Sequence, residues 1–212
     1  MRVLELGAGT GQNAVLMALL GAQVTCIDIA EESERLIKQL SKVTSAPNIE
    51  TVTADVCSYE FAPNTFDLIV GMGFLHHLTH EQETICLEKV ARWLHSRGEV
   101  RFFENAENNF LLDRLRWYIP TPGRPSRFRR KAFQAYKQIN QSHPKRDNGW
   151  QHYLRIASTF FDTVEITPVG GFERFTRVFS PDSKMELESK KLALRAESFV
   201  PMLLHRWIAR GQ

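Results

Sequence analysis

Val3-Leu-Glu-Leu-Gly-Ala-Gly-Thr-Gly-Gln12 is the stretch that decides the fold of this chain. An apolar strand carrying a single acid, Glu5, runs into three glycines on alternate positions, Gly7, Gly9 and Gly11. An amphipathic stretch from Asn13 to Leu20 follows at once. Glycine lacks a Cβ, so such a turn can take positive φ and let a ligand lie against the main chain. The helix that opens there presents unpaired N–H groups and the positive end of its dipole. A dinucleotide pyrophosphate suits loops of this kind, but its fingerprint is Gly-x-Gly-x-x-Gly, and the third glycine would fall on Gln12.

Working outward, Ala22–Asp28 reads as a second buried strand ending in an acid, seventeen residues beyond Gly11. Asn48–Val52 is a third strand, leading to Ala54-Asp55-Val56. Phe66–Val70 is a fourth, running into Gly71-Met-Gly-Phe-Leu-His-His-Leu78, and Gly98–Glu104 is a fifth. Helical patterns at Asn13–Leu20, Glu31–Leu40 and Glu81–Leu94 alternate with them, which calls for a parallel sheet with helices on both faces. Ligands of such sheets bind beyond the strands' C-terminal ends, where the strand order reverses. Gly7, Asp28, Asp55 and Gly71 each stand at such an end, so one pocket can collect them. A carboxylate in the position of Asp28 can take both hydroxyls of a ribose.

The Gly-x-Gly-x-Gly spacing with an acid two residues ahead resembles motif I of class I S-adenosylmethionine (SAM)-dependent methyltransferases, of the type 11/12-like kind. The downstream positions agree in order and spacing from Arg2 to about Glu104. The resemblance implies a Rossmann-like, doubly wound, mostly parallel α/β fold with SAM as cofactor. Gly7, Gly9 and Gly11 would let the backbone approach the methionine and ribose portions. Glu5 would orient the loop or reach the ammonium, directly or through water; a strand acid capping loop amides is the alternative. Asp28, with Ile29 beside it, would hold the ribose. Asp55 would accept from the adenine amino group and the Val56 N–H would reach a ring nitrogen, against the alternative of an Asp capping the turn after strand three. Gly71 and Met72 would line the methionine side through their carbonyls, while Asp67 reads as a strand-start acid.

His76 and His77 are the catalytic candidates. Methyl transfer is an in-line displacement at a sulfonium, so alignment of the acceptor can supply most of the rate. A base is needed only if the acceptor must lose a proton, and histidine suits that task near neutral pH. One of the pair is expected to face the pocket and the other to cap the following helix. No metal is expected, because adjacent histidines without a nearby Asp or Cys set lack ligand spacing.

At 212 residues and 43% hydrophobic, the chain can bury a full core, and a single domain is expected. Its parts would be a SAM-binding half (1–104), a basic and aromatic acceptor insertion (105–161), and a sixth strand with C-terminal helices (162–212). No apolar run approaches a membrane span and no signal peptide precedes the first strand. Cys26, Cys57 and Cys86 are odd in number and widely spaced, which favours buried reduced thiols and a cytoplasmic location. Strand one begins at the second residue, where relatives carry a helix that covers the pocket. Either the start lies elsewhere or other parts provide the lid. Thr163–Pro168 reads as the sixth strand. Gly170-Gly171 could turn into a seventh over Phe172–Phe179, but its phenylalanines repeat at helical spacing, and a truncated seventh strand is the reading favoured.

Composition shifts sharply after strand five. Arg114–Arg155 holds eleven Lys or Arg against one acid, Asp147, whereas the whole chain is only +3. Aromatics are interleaved, and Pro120, Pro122, Gly123 and Pro125 break the segment into helix, loop and helix. Trp117, Tyr118, Trp150, His152 and Tyr153 are acceptor-pocket candidates, with Glu104 and Asn105 closer in, at the end of strand five. The basic segment is either a solvated lid face or the binder of a small-molecule or lipid acceptor that is anionic or carried by an anionic partner. A basic helix candidate at Ser198–Arg210 favours peripheral contact with a membrane surface. Two alternatives stay open: an RNA methyltransferase, and a SAM-binding or interaction protein without turnover.

Overall fold

The computed structural model describes residues 1–104, 114–115, 117–119, 121, 124–139, 148–167, 184–197 and 199. The chain divides into two compact units, Met1–Asn105 and Ala106–Gln212.

The first unit is a five-stranded sheet, β1 (Arg2–Leu6), β2 (Gln23–Asp28), β3 (Ile49–Thr53), β4 (Phe66–Met72) and β5 (Leu94–Phe103). The order is β3-β2-β1-β4-β5 and every pairing is parallel. Strand order reverses between β1 and β4, as the alternation of strand and helix patterns requires. Helices α1 (Gln12–Leu19) and α2 (Glu31–Thr44) cover one face. There Ala14, Val15, Ala18 and Ile37 close on Val3, Val24 and Cys26, with Leu68 and Val70 at the margin. In parallel register, Glu5 lies opposite Cys26 and Val70, so the lone acid of β1 points to this same apolar face.

Helix α3 (His80–Trp93) follows β4 and runs without a loop into β5. Thr79 caps it through a reciprocal box: the Gln82 N–H donates to the Thr79 hydroxyl at 3.2 Å and the Thr79 N–H donates to Gln82 Oε1 at 2.9 Å. The cap is therefore a threonine, not one of the two histidines as the sequence suggested, because a short hydroxyl reaches the N3 amide better than an imidazole does. The crossover from β3 to β4, Ala54–Thr65, carries no helix. Its Phe61 ring instead meets Tyr59, Phe66 and Trp93 edge-on at 4.8, 5.2 and 5.1 Å.

The second unit contains α4 (Arg130–Ile139), α5 (Trp150–Ala157) and α6 (Lys184–Glu197). Thr163–Thr167, expected to open the sixth strand, shows half-buried Val164 and Ile166 between exposed neighbours but belongs to no sheet. Alternation records which side is covered; a strand also needs a hydrogen-bonded neighbour. The sheet has five strands among the described residues. The seventh-strand candidate and nearly all of Ser198–Arg210 lie outside the described residues. Cys26 and Cys86 are buried, Cys57 is half-buried, and all three are free thiols. No described helix is long and apolar enough to cross a membrane.

Gly11 opens α1 at φ 77°, and a Cβ there would stand 2.5 Å from Ile37 Cγ1. Gly11→Ala therefore combines a left-handed backbone with overpacking against α2. It should cost at least about 2 kcal/mol, read as a clear drop in melting temperature; an unchanged melt would contradict this packing.

Candidate functional site

The glycine loop after β1 is held from two sides. The Gly7 N–H donates to the Ile27 carbonyl at 2.9 Å, and the Gly9 N–H donates to Asp28 Oδ2 at 2.8 Å. The three glycines differ in what surrounds them. A Cβ on Gly7 would strike the Phe74 ring at 2.5 Å, and one on Gly11 would strike Ile37, but one on Gly9 (φ 51°) would meet nothing within 4 Å. Open space lies against the backbone at Gly9 alone of the three. Helix α1 begins beside it with no side-chain cap and no acid in its first turn.

Asp28, at the end of β2, uses both oxygens: Oδ2 for Gly9 and Oδ1 for the Ala30 N–H at 2.9 Å. An ionised carboxylate offers about four acceptor sites, so capacity for hydroxyl donors is left. Ile29, next in sequence, is 74% exposed, an unusual state for isoleucine beside a strand end. On the other side of β1, Met72 at the end of β4 is also exposed, and its sulfur accepts from Asn13 Nδ2 at 3.4 Å. The loops after β1, β2 and β4 thus converge at the point of strand reversal, as the strand-end reading anticipates.

Asp55 follows β3. Its Oδ1 accepts the Cys57 N–H at 2.9 Å and its carbonyl accepts from Ser58 and Tyr59, so it organises the turn that presents Val56. Asp67 accepts the Arg2 N–H at 2.7 Å and ties β4 to the start of β1. Gly71 is buried, and a Cβ on it would lie 2.7 Å from the Phe102 ring.

Glu5 is 2% exposed, and its Oε2 is buried without a hydrogen-bond partner. Burial pushes its pKa from the usual 4.5 up to about 7; the Asn13 side chain and the Ala14 N–H draw it partly back, and Asp28 adds to the rise. A cation placed at Oε2 would remove both the missing partner and the cost of ionisation.

His76 and His77 form a 3₁₀ turn, Leu75–His77, after β4. His76 is buried and His77 exposed, with ring centroids 4.3 Å apart. Glu104, the residue after β5, reaches across to this turn. Its Oε1 accepts the Phe74 and Leu75 N–H groups at 2.9 and 2.7 Å, and its Oε2 lies 2.8 Å from His76 Nδ1. Sequence reasoning treated Glu104 as an acceptor contact and did not foresee this link. It also passed over Gly73 (φ 63°), whose N–H donates to the Phe103 carbonyl at 2.8 Å, and Thr79, although Thr79-His-Glu-Gln82 is a visible capping signature.

In the second unit, the Arg127 N–H donates to the Trp117 carbonyl and brings the basic stretch against the aromatic one. Trp117 meets Phe133 edge-on at 5.2 Å, and the Arg124 and Lys137 cations lie 5.3 and 5.9 Å from its ring centroid. Tyr118 pairs with Phe128 at 5.3 Å and has Arg127 over its face. Arg127, Arg130, Phe133 and Gln134 line an open cleft of about 310 Å³. On α5, His152 is buried with Arg155 Nη2 3.4 Å from its Nδ1, and Tyr153 donates its hydroxyl to Asn148 at 3.3 Å. Trp150 opens the same helix, and Asn105 lies outside the described residues.

Residues 3–98 match the methyltransferase domain family. Through this unit the chain is similar to class I SAM-dependent methyltransferases. Over 142 residues it is 30% identical to phosphoethanolamine N-methyltransferase 1 of Zea mays, covering 66% of this chain and 28% of that one. An uncharacterized methyltransferase of Bacillus thuringiensis is 30% identical over 100 residues, 47% of this chain and 45% of its own. The chain thus spans less than half the length of these curated relatives. Among solved structures, a Haemonchus contortus phosphoethanolamine N-methyltransferase 2, in complex with phosphomonomethylethanolamine and S-adenosylhomocysteine, shares the fold. Its TM-score is 0.60 at 19% identity, over 93% of this chain and 39% of that one.

The buried carboxyl of Glu5 makes stability depend on pH in a stated direction. Its pKa is raised in the folded chain, so the native state binds the extra proton between about 4.5 and 7. Stability is then full below that window and falls as pH rises through it, by about 3 kcal/mol for this group. Glu5→Gln should flatten that decline in melts taken from pH 4.5 to 8. An identical decline in the variant would assign it to other groups.

Proposed function

We propose that the chain is a SAM-dependent methyltransferase, with Met1–Asn105 binding the cofactor and Ala106–Gln212 recognising a small acceptor that carries an anionic group. The observation that supports the cofactor reading most is the pairing of open space at Gly9 with the partnerless Oε2 of Glu5. SAM has a backbone-hugging middle and a cationic ammonium, and these residues fit both. Bound SAM supplies a methyl group on a positively charged sulfur, which departs as a neutral thioether. Glu5 holds the ammonium, Asp28 the ribose hydroxyls, and Ile29 covers an apolar face of the adenine. Asp55 and the Val56 N–H read the adenine edge, while Gly71 and Met72 line the methionine side. His76 is the group that takes a proton from the acceptor.

For the acceptor, support comes from the cleft between Arg127 and Arg130. Two arginines lining one open space of about 310 Å³ suit a phosphate or carboxylate better than a neutral ring. The maize relative, by its name, acts on a phosphorylated amino alcohol, and an acceptor of that class would fit such a cleft. Trp117 is already faced by the chain's own Arg124 and Lys137, which argues against an additional cation being held there.

Two experiments test the halves separately. Asp28→Ala should weaken SAM binding, read by calorimetry, by about one to two orders of magnitude, since a charge-assisted hydroxyl contact is worth roughly 1.5–3 kcal/mol. Unchanged affinity would remove Asp28 from the site, and no SAM binding by the wild type would overturn the cofactor reading. Arg127→Glu with Arg130→Glu should leave SAM affinity intact and raise the Michaelis constant for a phosphorylated amino-alcohol acceptor by roughly tenfold or more. Added salt should weaken wild-type turnover, because screening acts over about 8 Å at physiological ionic strength. Flat salt response and unchanged kinetics would exclude the anionic acceptor. Methylation of RNA with a steep salt slope, and none of small acceptors, would favour the nucleic-acid alternative.

A further inference from the structure

We propose that Glu104 is a positioning residue that sets the tautomer of His76, so that the ring nitrogen left with a lone pair is Nε2. The inference rests on the methyltransferase reading for its kinetic part, but not for its structural part.

The carboxylate of Glu104 is almost fully enclosed, with 7% of its side chain exposed, and so is the His76 side chain at 11%. Oε1 accepts from two backbone amides, Phe74 and Leu75, which open the 3₁₀ turn. Oε2 faces His76 twice: at 2.8 Å from Nδ1 and at 3.4 Å from the backbone nitrogen. Every described donor on this carboxylate belongs to the turn. An ionised carboxylate can only accept, so the hydrogen of that 2.8 Å contact sits on Nδ1. In the neutral ring Nε2 is then the basic nitrogen. The His77 ring at 4.3 Å restrains the imidazole plane from a second side. A base needs both a chosen nitrogen and a fixed direction, and this arrangement supplies the first through charge and the second through packing.

A purely structural cap for the turn would use the same two backbone amides but would have no need of the ring contact. Glutamine separates the two roles. In Glu104→Gln the single amide oxygen takes the place of Oε1 and keeps the Phe74 and Leu75 amides, the two short backbone donors to this side chain. The new NH₂ group then faces Nδ1, which must accept, and the ring proton moves to Nε2.

The test is nitrogen NMR of histidine-labelled protein at a pH where the rings are neutral, together with steady-state kinetics. Wild type should show His76 protonated at Nδ1, and Glu104→Gln should show it protonated at Nε2. The variant's kcat should fall by roughly tenfold or more while SAM affinity and acceptor KM stay within about twofold. His76→Gln should lose as much, and the double variant no more. A wild-type ring protonated at Nε2 would overturn the proposal outright, and needs no variant to fold. A reversed tautomer with unchanged kcat would overturn the catalytic consequence. Failure of the wild type to bind SAM would instead sink the methyltransferase reading, with the tautomer result standing apart from it.

Discussion

Parallel pairing of β1 with both β2 and β4 is the constraint on which the first unit depends. Each parallel neighbour has to be reached by a crossover, and right-handed crossovers starting from a central strand in opposite directions leave on opposite faces of the sheet. The loops after β1 and β4 are therefore pushed apart at their departure, and a crevice opens above their C-terminal ends. Gly9, Asp28 and Met72 gather there because the topology leaves nowhere else for those strand ends to go. The burial of Glu5 follows from the same geometry. One register position places it beside Cys26 and Val70, so the lone acid of β1 sits on the apolar face that α1 covers.

The first unit was largely legible in the sequence because its signals are local. Five apolar runs bounded by glycine or acid, and three helical patterns between them, fixed the strands and helices to within a few residues. What escaped were features made by partners far apart in the chain. Glu104 meets the Phe74–His76 turn only because β5 lies next to β4, and no motif of either segment announces the other. Thr163–Thr167 shows the reverse failure, a correct alternation of burial that is paired with no strand among the described residues. Helix α6 was missed for a third reason. Half of the residues of Lys184–Glu197 are charged and Leu187, Leu192 and Leu194 are exposed, so no apolar stripe marks it, and its ordering draws on local support such as the Lys191–Glu188 pair.

The second unit shows how charge and aromaticity can be read together but not separately. Sequence counts give many cations and many rings; the structure shows that part of each is spent on the other. Arg124 and Lys137 face Trp117, and Arg127 faces Tyr118. Arg130 adds its charge to the cleft that Arg127 also lines, and Phe128 is 77% exposed. The binding character of such a surface is set by the balance left after these internal pairings, which is cationic with an apolar edge.

The unequal surroundings of the three motif glycines mean that one short word is read by two different selections. A screen that retains only folded chains would reject side chains at Gly7 and Gly11, where Phe74 and Ile37 occupy the space a Cβ would need. At Gly9 the same screen would tolerate asparagine or aspartate, which enter the left-handed region at modest cost. Variation at that single letter, with its two neighbours unchanged, is thus the mark of a lineage that has kept its architecture after ceasing to need what the loop was shaped around.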